Sequence, residues 1–149
     1  MNHHFLLIMH LICAAIWVGG HLMLVFAYLP KAIKEKNQHI ILEYEKKYEP
    51  VGMPALALLV ITGILMAYNY GVGVENWFHF ATPIEKVVSV KLALLFITVL
   101  FALRAQFRVL PKLKNDAGIL PEMSVHIISV TTIGLIMLIL GSFVRFGGI

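Results

Sequence analysis

Charge is scarce in this chain. Asp, Glu, Lys and Arg make up 13% of its 149 residues, while 60% are hydrophobic and the mean hydropathy is +0.87. Soluble domains carry roughly 25% charged residues, so the composition excludes an ordinary water-soluble fold and points to an integral membrane protein. Cysteine is nearly absent. Cys13 alone cannot close an intramolecular disulfide, which excludes a disulfide-stapled scaffold. It falls inside the first apolar run, where a small apolar filler is the simplest reading. A cleavable leader is also not expected: the first apolar run exceeds the ~7–15 residues of a signal peptide core, no small-residue cleavage site follows, and His3 and His4 precede it instead of Lys or Arg.

Four long apolar stretches are present, at roughly residues 4–29, 51–72, 84–110 and 122–146. Each exceeds the ~20 residues that cross a bilayer core. The short connections between them predict an all-α, up-down-up-down four-helix membrane bundle forming one domain over 1–149. The net charge of +4 is explained by topology, not by nucleic acid. Lys31, Lys34, Lys36, Lys46 and Lys47 crowd the first connection; Arg104, Arg108, Lys112 and Lys114 flank the third. The opposite side offers only Lys86 and Arg145. The positive-inside rule then places both termini outside, in a bacterial inner membrane, with lipid as the surrounding partner. Helix 1 is expected to end near Tyr28 and Pro30. The 31–49 segment reads as an amphipathic cytoplasmic helix or helix extension, and Pro50 and Pro54 as first-turn residues of helix 2.

Ionisable residues inside spans are costly, and each is a functional hypothesis. His10 and His21 are eleven residues apart on helix 1. That is close to three turns, so both rings share a face about 16 Å apart along the axis. His126 lies about one turn inside helix 4, at the depth of His21, and the two could ligate one iron from opposite faces of a porphyrin. For His10 at the outer level, His79 of the outer loop and Met137, eleven residues beyond His126, are the candidate partners; His/His and His/Met pairs both serve haem iron. His79, with Trp77 and Phe78 beside it, also fits an interfacial aromatic belt. Trp17 fits either stacking on a macrocycle or filling the core. Lys91, too deep to snorkel easily, fits a partner for a haem propionate, a quinone or an anionic substrate. Arg104 and Arg108 fit either propionate holders or anchors on lipid phosphate. The small residues Ala14, Ala15, Gly19, Gly20, Gly134 and Gly141 leave room for a flat ring, or serve close helix packing.

The run from His10 through Cys13 and Trp17 to Gly19 and Gly20 resembles the first membrane helix of CopD-like copper-resistance proteins. It also resembles HemJ-type protoporphyrinogen oxidases, with a later Leu29 and Pro30. Tyr48 to Pro54 followed by Gly63, and the run Lys91 to Leu95, resemble their second and third helices; Arg104 to Pro111 is similar to the CopD-type end of the third. The resemblance implies a four-helix core and, from the HemJ branch, haem b bound through His10 with a functional Lys91. The additional His21 and His126, and the lack of a His before Lys91, point away from porphyrinogen oxidation and toward a two-haem relative.

The resulting expectation is a b-type cytochrome with two haems, one toward each leaflet. It would carry electrons across the membrane or convert a small substrate such as a quinol, superoxide or nitric oxide. Copper handling by His10, Cys13, His21 and methionines is the alternative, with protoporphyrinogen IX oxidation after it. Met/His-rich clusters of the kind that capture soft copper are not apparent in the linear sequence. Exposed small residues allow a homodimer.

Overall fold

The computed structural model describes residues 3–149. Among these, four helical rods and no strands are found: His3–Glu35, His39–Asn69, Pro83–Leu113 and Ala117–Val144, each long and apolar enough to cross a membrane. A rod of 31 residues, such as the second, is about 46 Å long at ~1.5 Å per residue. This exceeds the ~30 Å hydrocarbon core, so part of it stands outside.

The first rod is α1 (His3–Met23), a π-helical turn (Leu24–Tyr28) and α2 (Leu29–Glu35). The helix does not stop at Pro30. Pro30 falls in the opening turn of α2, where a missing N–H is tolerated. The stop comes at Lys36, which adopts the left-handed conformation (φ 49°) while the Asn37 N–H reaches the Ala32 carbonyl at 3.0 Å. The 31–49 segment is thus divided: its first part extends the first rod, and its second part opens α3 (His39–Asn69). Pro50 and Pro54 consequently lie inside α3. Gly71 (φ 78°) ends α3 with the Val72 N–H on the Ala67 carbonyl at 3.0 Å, a geometry that glycine adopts without steric cost.

α4 (Pro83–Arg104) starts with a capping box. The Thr82 hydroxyl accepts from the Glu85 N–H at 3.2 Å, and the Glu85 carboxylate accepts from the N–H groups of Ala81 and Thr82. Glu85 is therefore buried against its own helix end and not solvated. A π-helical turn (Ala105–Val109) and α5 (Leu110–Leu113) complete the third rod, and α6 (Leu120–Val144) forms most of the fourth.

Membrane helices must satisfy their polar groups internally. Thr62, Ser89, Thr98, Ser124, Thr131 and Thr132 each donate a hydroxyl to the carbonyl four residues earlier. Phe26, Phe96 and Phe107 face outward, as lipid-solvated side chains do. α1 packs chiefly on α3, α4 on α6, and α1 also meets α6; α3 and α4 scarcely touch. One core cluster (Leu24, Leu29, Ile41, Val109, Leu113, Met123 and neighbours) closes the end of the bundle that carries the Lys-rich connections, here termed the basic end. A second, around Trp17, Val18, Leu56 and Val130, lies deeper. Replacing Thr82 with Ala removes one half of the capping box. It is expected to lower stability by about 1 kcal/mol, read as an earlier unfolding midpoint in mixed micelles with unchanged helicity.

Candidate functional site

Between the two core clusters the seam between α3 and α4 opens into a small cavity of about 70 Å³. That is room for an ion or a few waters, well below the ~300–1,000 Å³ of small-molecule and cofactor pockets. The first rod contributes Trp17, His21 and Leu24; α6 contributes Met123, His126 and Val130. From α3 come Glu45, Tyr48, Glu49 and Met53, and from the third rod Phe101, Ala105 and Gln106. The Gln106 amide donates to the Glu49 carboxylate, so one hydrogen bond spans the α3–α4 seam. The two π-helical turns border this space: Leu24 opens the first, and Ala105 and Gln106 open the second. Wide turns of this kind recur where helices accommodate a site.

His21 and His126, on separate rods, face this one cavity. Their hydrogen bonds fix their chemistry. His21 Nδ1 lies 2.9 Å from the Trp17 carbonyl, and His126 Nδ1 lies 3.2 Å from the Glu122 carbonyl. A carbonyl only accepts, so Nδ1 carries the proton in both rings. In the neutral imidazole Nε2 then holds the lone pair. His126 is 6% exposed, and its Nε2 is buried with no hydrogen-bond partner. A buried polar atom without a partner costs about 1–3 kcal/mol, and in this position it is a vacant electron-pair donor. Phe101 packs edge-on against the His126 ring at 5.1 Å.

His10 lies in a different layer, nearer the termini. Thr62 commits its hydroxyl hydrogen to the Leu58 carbonyl at 2.6 Å, so His10 Nδ1–H must be the donor in the 2.9 Å contact with Thr62 Oγ1. The His10 ring abuts Gly63, where a Cβ would come within 3.3 Å of it. Lys91 is half-buried and close enough to His10 for their charges to interact. Its Nζ lies beside Gly141 and makes no hydrogen bond or ion pair with any described residue. Met137 is half-buried on α6, and His79 is exposed in the loop before α4; neither contacts His10 through a hydrogen bond. Trp17 is buried and packs on His21 with ring centroids 4.4 Å apart. Arg104 is 55% exposed and paired with Glu122 at 2.8 Å; Arg108 is exposed. Neither arginine lines the cavity. Cys13 is buried and unbonded.

Met53, Met123, Glu45, Tyr48, Glu49 and Gln106 are not among the site residues that the spans suggest, although Tyr48 to Pro54 carry the likeness to a second helix. The signal was present: Glu45, Tyr48, Glu49 and Met53 recur at three- and four-residue spacing, one continuous helical face, once α3 is taken to begin at His39. Met123 precedes His126 by one turn. Among the described residues, no three His, Cys, Asp or Glu side chains come together in a ready metal-binding geometry. The cavity instead gathers two imidazoles, two thioethers and two carboxylates, with no Lys or Arg.

A bundle of four apolar rods around a donor-lined cavity defines a multi-pass helical membrane protein. The family model for copper resistance protein D, CopD, matches residues 42–144, more than half of the chain. The chain belongs to the CopD family. Neither a curated protein nor a solved structure matches it.

Exchanging His126 for Leu removes the partnerless nitrogen while keeping an apolar side chain. Because an unsatisfied buried polar atom is lost, metal-free protein carrying His126→Leu is expected to unfold at the same temperature as the parent or higher. A marked fall in the midpoint would show that Nε2 is satisfied in the native membrane protein.

Proposed function

We propose that this chain is a copper-handling membrane protein that accepts Cu(I) in the cavity between its four rods. His21 and His126 would supply nitrogen donors, with Met53 and Met123 as the thioethers lining the same space. The observation that carries this reading is the buried, partnerless Nε2 of His126 in a cavity whose walls hold a second imidazole, two sulfurs and two carboxylates but no cation. Thioethers and imidazole suit Cu(I), a soft closed-shell ion that is content with two or three donors. Membership of the copper resistance family supports the same reading. Copper here is cargo. Each imidazole, its Nδ1–H tied to backbone, offers Nε2 in a fixed direction; the carboxylates near the seam attract a cation and repel an anion. With the basic end in the cytoplasm of a bacterial inner membrane, the cavity would lie toward the inner leaflet.

The second reading is a b-type cytochrome. It is favoured by one observation: His10, His21 and His126 all have Nδ1–H committed and Nε2 left as the acceptor, the form that binds haem iron. His21 and His126 would then be the axial pair of one haem, and His10, with His79 or Met137, would serve the other. Lys91 would be left to hold a propionate or a quinone. The charge of the cavity weighs against it. Haem brings two propionates, and Glu45 and Glu49 line the space while Arg104 and Arg108 face away from it.

Detergent-purified protein titrated with Cu(I) against a chromophoric chelator is expected to bind about one equivalent. His21→Ala and His126→Ala should each weaken that binding at least tenfold, about 1.4 kcal/mol, while His10→Ala leaves it unchanged. A colourless preparation that binds copper supports this reading. A b-type α band with a pyridine haemochrome near two haems per chain, and no copper uptake, would replace it with the second.

A further inference from the structure

Tyr48 occupies the crossing of α1 and α3. Its hydroxyl donates to the Trp17 carbonyl at 2.9 Å and to the Ile16 carbonyl at 3.2 Å. The Trp17 carbonyl is the same atom that receives His21 Nδ1–H at 2.9 Å. One oxygen thus joins the phenol to the imidazole. The two rings also meet edge-on, with centroids 5.8 Å apart and planes at 85°. Trp17 closes on the imidazole at 4.4 Å. His21 is held in a slot between an indole and a phenol, with Nδ1 spoken for and Nε2 left free.

The phenol is itself confined. A Cβ at Gly20 would collide with the Tyr48 ring, and one at Gly52 would come within 2.6 Å of it. Glycine inside a helix is unfavourable relative to alanine, and here it occurs on both walls of one ring. Tyr44 backs the same ring, stacked at 5.5 Å and 21°, and is anchored by its own hydroxyl on the Gly20 carbonyl at 2.6 Å. Phenylalanine at position 48 would fill the same volume. What the hydroxyl adds is a bond to the one carbonyl that orients a cavity histidine.

We propose that Tyr48, seated between Gly20 and Gly52, is a positioning residue for His21, holding its imidazole in the single orientation and tautomer that presents Nε2 to the cavity. Its effect on metal binding rests on the copper reading above; its effect on the imidazole does not. Supporting groups that orient a metal-binding histidine typically contribute 10–100-fold in affinity.

The test uses full-length protein in micelles and two readouts. In ¹⁵N-histidine spectra, wild-type His21 is expected as the Nδ1–H tautomer, and Tyr48→Phe should show it averaging between both tautomers. In Cu(I) competition, Tyr48→Phe should lose about tenfold in affinity, and this loss should vanish when His21 is already Ala. Gly20→Ala, which pushes the ring aside, should reproduce the spectral change. An unchanged His21 signal in Tyr48→Phe, or an equal affinity loss with and without His21, would overturn the proposal and leave Tyr48 a packing residue. If wild-type protein takes up no Cu(I), the copper reading fails on its own, and the tautomer measurement still decides the role of Tyr48.

Discussion

A polar group inside the hydrocarbon layer must be satisfied by the protein itself, and the rest of this structure follows from how the imidazoles meet that demand. Each of His10, His21 and His126 gives Nδ1–H to an oxygen of the bundle. That bond anchors the ring, sets the tautomer and leaves Nε2 as an electron pair with no obligation. The hydroxyls of the spans turn back on their own helices in the same way. Among the described residues two buried side-chain nitrogens remain without a partner, Trp77 Nε1 and His126 Nε2, and His126 lines the cavity at the seam of α3 and α4.

The opening exists because the two helical pairs are unevenly joined. α1 grips α3 through a glycine-lined aromatic seat, α4 grips α6, and α1 ties the pairs together, while α3 and α4 are left apart. Side chains from all four rods line that seam. Its chemistry is one-sided: imidazole, thioether and carboxylate inside, with the guanidinium of Arg104 held outside by Glu122. In a medium of low dielectric such an arrangement favours a cation over an anion, in keeping with the copper cargo proposed above.

Much of this was legible before the structure. The shared layer of His21 and His126 follows from helical rise and antiparallel order, since residues late in the first span lie level with residues early in the fourth. The separate layer of His10 follows equally. The placement of Lys91 near His10 was readable as depth, although its neighbour Gly141 was not. Less legible was the segment from His39 to Met53. Its lysines and glutamates average to a polar stretch, and Pro50 and Pro54 have the look of a helix start. The residues that border the cavity there, Glu45, Tyr48, Glu49 and the exposed Met53, are interspersed with lysines, so composition hides a face that only periodicity reveals. The two methionines were hidden for a related reason: in an apolar sequence a thioether is indistinguishable from packing until its neighbours are known.

The sequence alone determined four apolar helices long enough to span, the all-helical class and the separation of His10 from the layer of His21 and His126, because bilayer thickness and the 1.5 Å helical rise are fixed quantities. It also placed the basic connections together at one end. The tertiary structure decided which helix pairs close and which part, and therefore where the cavity lies and which charges face into it. Those outcomes depend on azimuth: a rotation about the helix axis by one residue, about 100°, would send Glu45, Met123 or Arg104 to a different neighbour without changing the hydropathy profile.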